Sequence, residues 1–266
     1  MKNVIKCIIW YFISLTSIAQ NNNSLSINID SANLDCFKQL IIYTNDTIVK
    51  ERCIERNAKI FVENKSYIYL GTILNSKLDT ISSTKIYFQG TNKRFHYSPQ
   101  NQMSLNIDFE RFENDSVKLN SVFENSNCCN WVNTMESGVV ENIEKCWIKA
   151  IRNNQFRYTE TAGFPDVQYP LEIHKEWSRE VKIGNYGWGT WCNKTSRSNY
   201  KVISKNIYQL KNEKIECWKI ESLSDFEGKQ NKHTYLFNED FGFVLMQYEF
   251  HDGIKINFEM IDFKLK

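Results

Sequence analysis

The chain has 266 residues, of which 42% are hydrophobic and 14% aromatic, with 33 lysines and arginines against 31 aspartates and glutamates and only three prolines. This composition excludes collagen-like and proline-rich disordered proteins and suffices for one large globular domain or two smaller ones. The balanced charge argues against nucleic acid and anionic membrane as partners, because proteins that bind them carry clustered basic residues.

The first nineteen residues have the organisation of a secretory signal peptide. Lys2 and Lys6 precede the apolar run CIIWYFI, and the small residues Ser17 and Ala19 follow it. The run is too short to cross a bilayer, which needs about 20 apolar residues, and no later segment approaches that length. We therefore expect cleavage after residue 19 and export to the periplasm or the cell exterior, with no transmembrane segment in the product. The signal peptide contains two of the 33 basic residues and no acidic residue. The cleaved chain would therefore have 31 basic and 31 acidic residues.

Apolar and polar residues alternate along most of the remaining chain, a period that is typical of half-buried antiparallel strands. Leu105, Ile107 and Phe109 are one example. The sequence predicts an all-β fold of antiparallel sheets or meanders, arranged as a half-barrel or a sandwich, with at most one or two short helices. One helix is predicted over residues 139–151, where apolar residues recur every four positions: Val139, Ile143, Trp147 and Ile151.

Two segments with a connecting character, residues 128–137 and 153–169, interrupt the strand pattern. The first of them predicts a boundary near residue 137. We expect an N-terminal β-module over residues 20–137 and a C-terminal β-meander module over residues 138–266.

Seven cysteines remain after removal of the signal peptide, and an exported compartment favours disulfides between them. Because seven is odd, at least one thiol stays free or pairs between chains. Cys36 and Cys53 flank two apolar runs joined by the turn formers Thr44-Asn45-Asp46. A hairpin centred between Thr44 and Asn45 places these cysteines opposite each other, within the reach of a disulfide. Cys192 and Cys217 are further disulfide candidates.

The C-terminal sequence FGFVLMQYEFHDGIKINFEMIDF predicts a hairpin whose register depends on its turn. A two-residue Asp252-Gly253 loop would oppose apolar residues to polar ones. A three-residue loop over residues 251–253, with Gly253 left-handed, opposes Phe250 to Ile254 and makes each inner pair apolar. The inner face then consists of Val244, Met246, Tyr248, Phe250, Ile254, Ile256, Phe258 and Met260.

The stretches YPLEIHKEW, ECWKIES and HTYLFNEDFGFVLMQYEFHDG resemble uncharacterised exported β-rich proteins of Gram-negative, Bacteroidetes-type bacteria. In those proteins a Pro-Leu-x-x-Gly-x-x-Trp segment leads into an antiparallel meander. The meander is also loosely similar to periplasmic half-barrel proteins that carry lipids or lipoproteins. The resemblance implies a fold and no catalytic residues. His174 stands where that pattern has glycine.

Glu172, His174 and Glu176 alternate in PLEIHKEW, so a continuous strand would align two carboxylates and an imidazole on one face. If the segment turns, as a glycine at position 174 implies, the three side chains do not share a face. In either case we interpret them as solvent-facing and expect no metal site. The other histidines are His96, His233 and His251.

A ligand surface is one interpretation of YGWGTW, in which Tyr186, Trp188 and Trp191 are interleaved with glycines. Aromatic rings beside glycines can form a platform for sugars or acyl chains. The other interpretation is that the glycines mark bulges and the tryptophans close the end of a barrel.

Motifs for a nucleophile elbow, a zinc protease, a phosphate loop and a dinucleotide site are all absent from the sequence. We therefore expect no cofactor and no assignable catalytic residue. The favoured hypothesis is a non-catalytic exported protein that binds a hydrophobic small molecule, a peptide, a glycan or an envelope protein. The alternative is an exported hydrolase with carboxylate chemistry, whose two acids cannot be identified from sequence spacing.

Overall fold

The computed structural model describes residues 34–43, 46–56, 58–95, 102–110, 132–183 and 191–265. The chain divides into two compact units, Met1–Glu55 and Arg56–Lys266. The division differs from the boundary predicted near residue 137, which falls inside a strand of the second unit, Thr134–Glu141. The predicted signal peptide lies outside the described residues.

The described part of the first unit is a hairpin of two antiparallel strands, β1 (Leu34–Tyr43) and β2 (Asp46–Glu55). Tyr43 lies opposite Asp46, and Cys36 lies opposite Cys53. The predicted register is therefore confirmed, while the disulfide between the two cysteines stays a prediction.

The second unit is built on one sheet of twelve described strands, all paired antiparallel in the order β8-β7-β6-β5-β4-β3-β14-β13-β12-β11-β10-β9. The strands are β3 (Lys65–Leu74), β4 (Thr80–Arg94), β5 (Met103–Phe109), β6 (Thr134–Glu141), β7 (Lys145–Ile148), β8 (Asp166–Gln168), β9 (Glu176–Lys182), β10 (Thr195–Leu210), β11 (Glu213–Phe226), β12 (Lys229–Asn238), β13 (Gly242–Glu249) and β14 (Lys255–Leu265). This confirms the predicted all-β fold class.

Alternation of side chains directs one face of each strand into a common core. Along β3, Tyr67, Tyr69, Gly71 and Ile73 are buried, and the residues that alternate with them are partly exposed. The same alternation on β14 buries Ile256 and Phe258. The core-facing side of β3 and β14 is therefore mostly aromatic and aliphatic.

The sheet curls until its two terminal strands approach each other as a nearly closed barrel. On β9, the indole of Trp177 donates to Asp166 of β8 at 3.2 Å, and Arg179 pairs with the same carboxylate. Val181, also on β9, packs against a small apolar cluster that contains Trp147 of β7. Side chains rather than a backbone ladder therefore join the ends of the sheet in the described part of the chain.

A 3-10 helix, Asn154–Thr161, fills the concave side of this sheet. Phe156 on this helix is fully buried, and its ring packs against Phe109 and Phe258. The helix can approach β3 this closely only at a glycine, because a Cβ atom on Gly71 would lie 2.7 Å from the Phe156 ring. The segment predicted to be a connection is thus part of the core.

The helix predicted over residues 139–151 is wrong, because these residues form β6, β7 and the turn between them. In the turn, Asn142 Oδ1 accepts from the N–H groups of Glu144 and Lys145, at 2.9 and 3.0 Å. Ile143, one of the four apolar residues that suggested the helix, lies in this turn and is 54% exposed. The local turn chemistry therefore overrides a four-residue apolar period.

The register predicted for the C-terminal hairpin is confirmed. Met246 lies opposite Phe258, and Tyr248 lies opposite Ile256. In the turn, Gly253 has a φ of 82°, and the N–H of Phe250 donates to the carbonyl of Ile254 at 2.9 Å.

The distal half of the β10–β11 hairpin forms an arm, residues 203–216. A bulge between Val202 and Ser204 shifts the register where the arm begins. Beyond it, the arm reaches β14, where Tyr208 Oη lies 3.1 Å from Glu259 and Lys211 pairs with Asp262.

Candidate functional site

The interior of the barrel is occupied by the chain's own backbone. Hydroxyl groups on β10 and β12 hold the segment 161–164. On β10, Ser196 donates to the carbonyl of residue 161 at 3.1 Å, and Tyr200 donates to the carbonyl of residue 164 at 2.9 Å. Tyr235 donates to the carbonyl of Gly163 at 2.8 Å. A Cβ atom on Gly163 would lie 2.6 Å from Ser198 Oγ, so only glycine lets the segment approach this closely. The recess that a half-barrel carrier would offer a ligand is therefore filled.

Glu141, at the end of β6, is a buried carboxylate with an internal partner. Its Oε1 accepts from the N–H groups of Lys59 and Ile60 at 2.7 and 2.8 Å, and its Oε2 accepts from the N–H of Phe61 at 2.9 Å. Burial raises the pKa of Glu141, and the three backbone donors oppose that shift. Because both oxygens are engaged, this carboxylate fixes the segment 59–61 rather than facing a substrate.

His233 on β12 is a titratable group inside the barrel. It is fully buried between the rings of Tyr235 and Tyr248, at 6.2 and 5.1 Å, and lies opposite Ser222 in the ladder. Neither ring nitrogen has a hydrogen-bond partner among the described residues. Burial lowers the pKa of His233 to about 3, so the imidazole is neutral in the folded protein.

The sequence interpretation did not single out His233, although a signal was available. In HTYLF, His233, Tyr235 and Phe237 occupy alternate positions of one strand. A histidine in phase with aromatic core residues is expected to point inward.

The turn interpretation of PLEIHKEW is confirmed. His174 has a φ of 71° in an exposed turn, and its N–H donates to the carbonyl of Val202 at 2.8 Å. Glu172 precedes this turn, whereas Glu176 begins β9 and bonds to Lys201 at 2.7 Å. The three side chains are therefore not aligned on one strand face.

Only one residue of the predicted aromatic platform is described. The ring of Trp191 packs against Tyr158 at 5.7 Å and Phe226 at 6.4 Å, which agrees with a role in packing. Tyr186 and Trp188 lie outside the described residues, so the ligand platform stays a prediction.

The second pair of disulfide candidates is not joined in the structure. Cys217 carries a free thiol and is fully buried at the base of the arm, while Cys192 is partly buried. Burial raises the pKa of Cys217 to about 12, which disfavours the reactive thiolate.

A groove of about 340 Å³ on the outer face of β9 to β12 is open to solvent. Leu223, 47% exposed, and Ile203 provide its apolar surface. Its complete lining is Glu176, Trp177, Ser178, Asn199, Tyr200, Lys201, Ile203, Glu221, Ser222, Leu223 and Lys232.

Ion pairs border this outer groove. Glu176 lies 2.7 Å from Lys201, and Glu221 lies 3.0 Å from Lys219 and 3.7 Å from Lys232. The hydrogen bond from Lys201 lowers the pKa of Glu176, and the hydrogen bond from Lys219 lowers that of Glu221. Both acids are therefore ionised at neutral pH and paired with lysines.

No helix within the described ranges has the length and apolar character of a membrane span. Among the same residues, His, Cys, Asp and Glu side chains form no group of three that could hold a metal ion.

Three solved structures are similar to this chain. A predicted lipoprotein of Parabacteroides distasonis matches with a TM-score of 0.44 at 7% identity, over 77% of this chain and 97% of that one. A predicted exported protein with a YmcC-like fold from Bacteroides fragilis matches with a TM-score of 0.42 at 6% identity, over 78% and 100% of the two chains. The hypothetical lipoprotein YmcC of Escherichia coli matches with a TM-score of 0.33 at 7% identity, over 79% and 90%.

Two of these proteins are described as lipoproteins and one as an exported protein. Such distant likenesses assign no role to any residue here. No protein-family model and no curated protein matches the chain.

Proposed function

We propose that the chain is an exported protein that binds an extended peptide of an envelope partner through the outer groove, without catalysis. Export is supported by the basic, apolar and small-residue regions within residues 1–19. The groove is the single observation that carries the proposed binding function.

The location of the groove follows from how the barrel is filled. Phe156 and the backbone of Gly163 occupy the concave side of the sheet, so a ligand has access to the outer face instead. There, Leu223 and Ile203 offer contact to an apolar side chain, and the flanking lysines and glutamates offer hydrogen bonds to a peptide backbone. A lipid carrier would need a deeper, enclosed apolar cavity.

The charges of the groove favour binding over hydrolysis. A carboxylate-based glycosidase needs one acid with a raised pKa to protonate the leaving group. In Glu176 and Glu221, hydrogen bonds from lysines shift the pKa in the opposite direction. These acids are suited to holding a polar ligand in place.

Native mass spectrometry of the protein purified from its own envelope tests this proposal. We expect a co-purifying peptide to remain on the wild-type chain and to be lost from Leu223→Arg, which places a charge on the apolar surface of the groove. Leu265→Arg is the matched control, because Leu265 is 67% exposed at the end of β14 and does not line the groove. A peptide retained by Leu223→Arg, or a bound molecule that is turned over, would contradict the proposal.

A further inference from the structure

The two ends of the sheet meet at a seam between β8 and β9. β8 has three residues, paired with β7 from Gln168 opposite Lys145 to Asp166 opposite Trp147. On the other side, β9 pairs with β10 along its whole length. Within the described part of the sheet, no backbone ladder joins β8 to β9.

A buried carboxylate links β8 to β9 at this seam, next to the hydrogen bond from Tyr200 of β10 to the carbonyl of residue 164. Asp166 is 1% exposed, its Oδ2 accepts from Trp177 Nε1 at 3.2 Å, and its Oδ1 lies 3.2 Å from Arg179 Nη1. Arg179 also covers the ring of Trp147, with its guanidinium carbon 4.4 Å from the ring centre. Val181 completes the seam in a small apolar cluster.

A backbone ladder and a seam of side chains differ in how cooperatively they open. Backbone ladders on both sides of a central strand must break together, whereas a seam of side chains can separate without disrupting either neighbouring ladder. The seam also has a tether that limits its separation: Lys175 Nζ donates to the carbonyls of Gln168 and Pro170, at 2.9 and 2.7 Å, in the turn that connects β8 to β9.

We propose that the barrel opens laterally between β8 and β9, and that Asp166 is the latch that keeps it closed. Opening separates Asp166 from Trp177 and Arg179 and breaks the hydrogen bond from Tyr200 to the carbonyl of residue 164, while the ladder between β9 and β10 stays intact. The movement exposes the seam-facing edge of β9 and the apolar cluster around Trp147. This inference does not rest on the proposed peptide groove, although β9 and Trp177 belong to both the seam and the groove lining.

Hydrogen exchange of the intact wild-type chain, followed by mass spectrometry, tests the opening itself. We expect amides on the free edge of β9 to exchange by a local opening whose rate is insensitive to low concentrations of urea. Amides of β13, in the middle of the sheet, should exchange with the urea dependence of global unfolding. A shared urea dependence of β9 and β13 would overturn the proposal.

Two variants test the latch. Asp166→Asn removes the charge at constant shape, and Arg179→Met removes its cationic partner. In both we expect exchange of β9 to accelerate at least tenfold, with β13 and β14 unchanged. Glu180→Gln is the control, because Glu180 pairs with Arg197 at 2.9 Å on the exposed side of the same strand. Unchanged exchange of β9 in both variants, or equal acceleration in all strands, would contradict a latch.

Discussion

His174 is held in the left-handed region of backbone conformation, where a side chain with a Cβ atom costs about 1–2 kcal/mol. The imidazole itself is exposed. His174→Gly should therefore leave the free energy of unfolding unchanged or raise it by up to about 1 kcal/mol, since glycine relieves the strain but gains entropy when unfolded. Urea unfolding measures this change.

His174→Val is the matched control at this position. A β-branched residue at positive φ is more strained than histidine, so this variant should lower stability by about 1–3 kcal/mol. A clear loss of stability in His174→Gly would instead assign the imidazole a structural contact.

Burial of His233 makes the stability of the second unit depend on pH. An unfolded histidine titrates near about pH 6.5, whereas the pKa of His233 in the folded protein is lowered to about 3. Between these values the unfolded state binds a proton that the folded state does not. The contribution of His233 to stability is therefore intact above about pH 6.5 and falls by up to about 1.4 kcal/mol per pH unit as the pH approaches 3.

Urea unfolding at pH values from 7.5 to 4 measures this slope. His233→Leu should remove the part of the slope that belongs to this residue, whereas His251→Leu, in an exposed turn, should retain it. Equal slopes in the wild-type protein and His233→Leu would show that the imidazole gains a proton in the folded state.

Among the structural elements, the C-terminal hairpin contributes most directly to the core. Phe258 on β14 is fully buried against Phe156, whereas Lys255 is on the other face and pairs with Glu249 at 3.3 Å. Phe258→Asp should prevent folding, because it replaces about 1.5–3 kcal/mol of apolar burial with an unpaired buried carboxylate. Lys255→Asp should cost about 1 kcal/mol or less.

Circular dichroism and thermal unfolding distinguish these two variants. Truncation after residue 250 should also prevent folding, since β14 is the strand that joins β13 to β3. Similar melting of Phe258→Asp and Lys255→Asp would contradict the importance of this face.

The hairpins were predictable because their determinants are local. Apolar alternation on both sides of Gly253 permitted one register with apolar pairs, and the turn formers between Cys36 and Cys53 fixed the other hairpin. The seam and the filled interior were not predictable in this way. Asp166 and Trp177 lie on consecutive strands that form no ladder, so no hairpin register pairs them, and the contacts of Phe156 lie on distant strands.

At the scale of the whole molecule, the predicted signal peptide should be removed when the protein is exported. N-terminal sequencing of the exported protein should find Gln20 as the first residue. Ala19→Tyr should block cleavage, because signal peptidase sites require small residues at this position, while Gln20→Ser should be cleaved normally. An exported wild-type chain that begins with Met1 would contradict the predicted signal peptide.

The pairing of β3 with β14 has a consequence for how the second unit acquires its structure. Ile73, near the start of this unit, lies opposite Ile256, near its end, in the middle of the sheet. Such high contact order slows folding, because the entropy of closing a long loop is lost before the contacts form. During synthesis, β3 has no partner on this side until β14 emerges. The pairing of β3 with β14 therefore forms only after β14 has been synthesised, and until then this edge of β3 is exposed to aggregation.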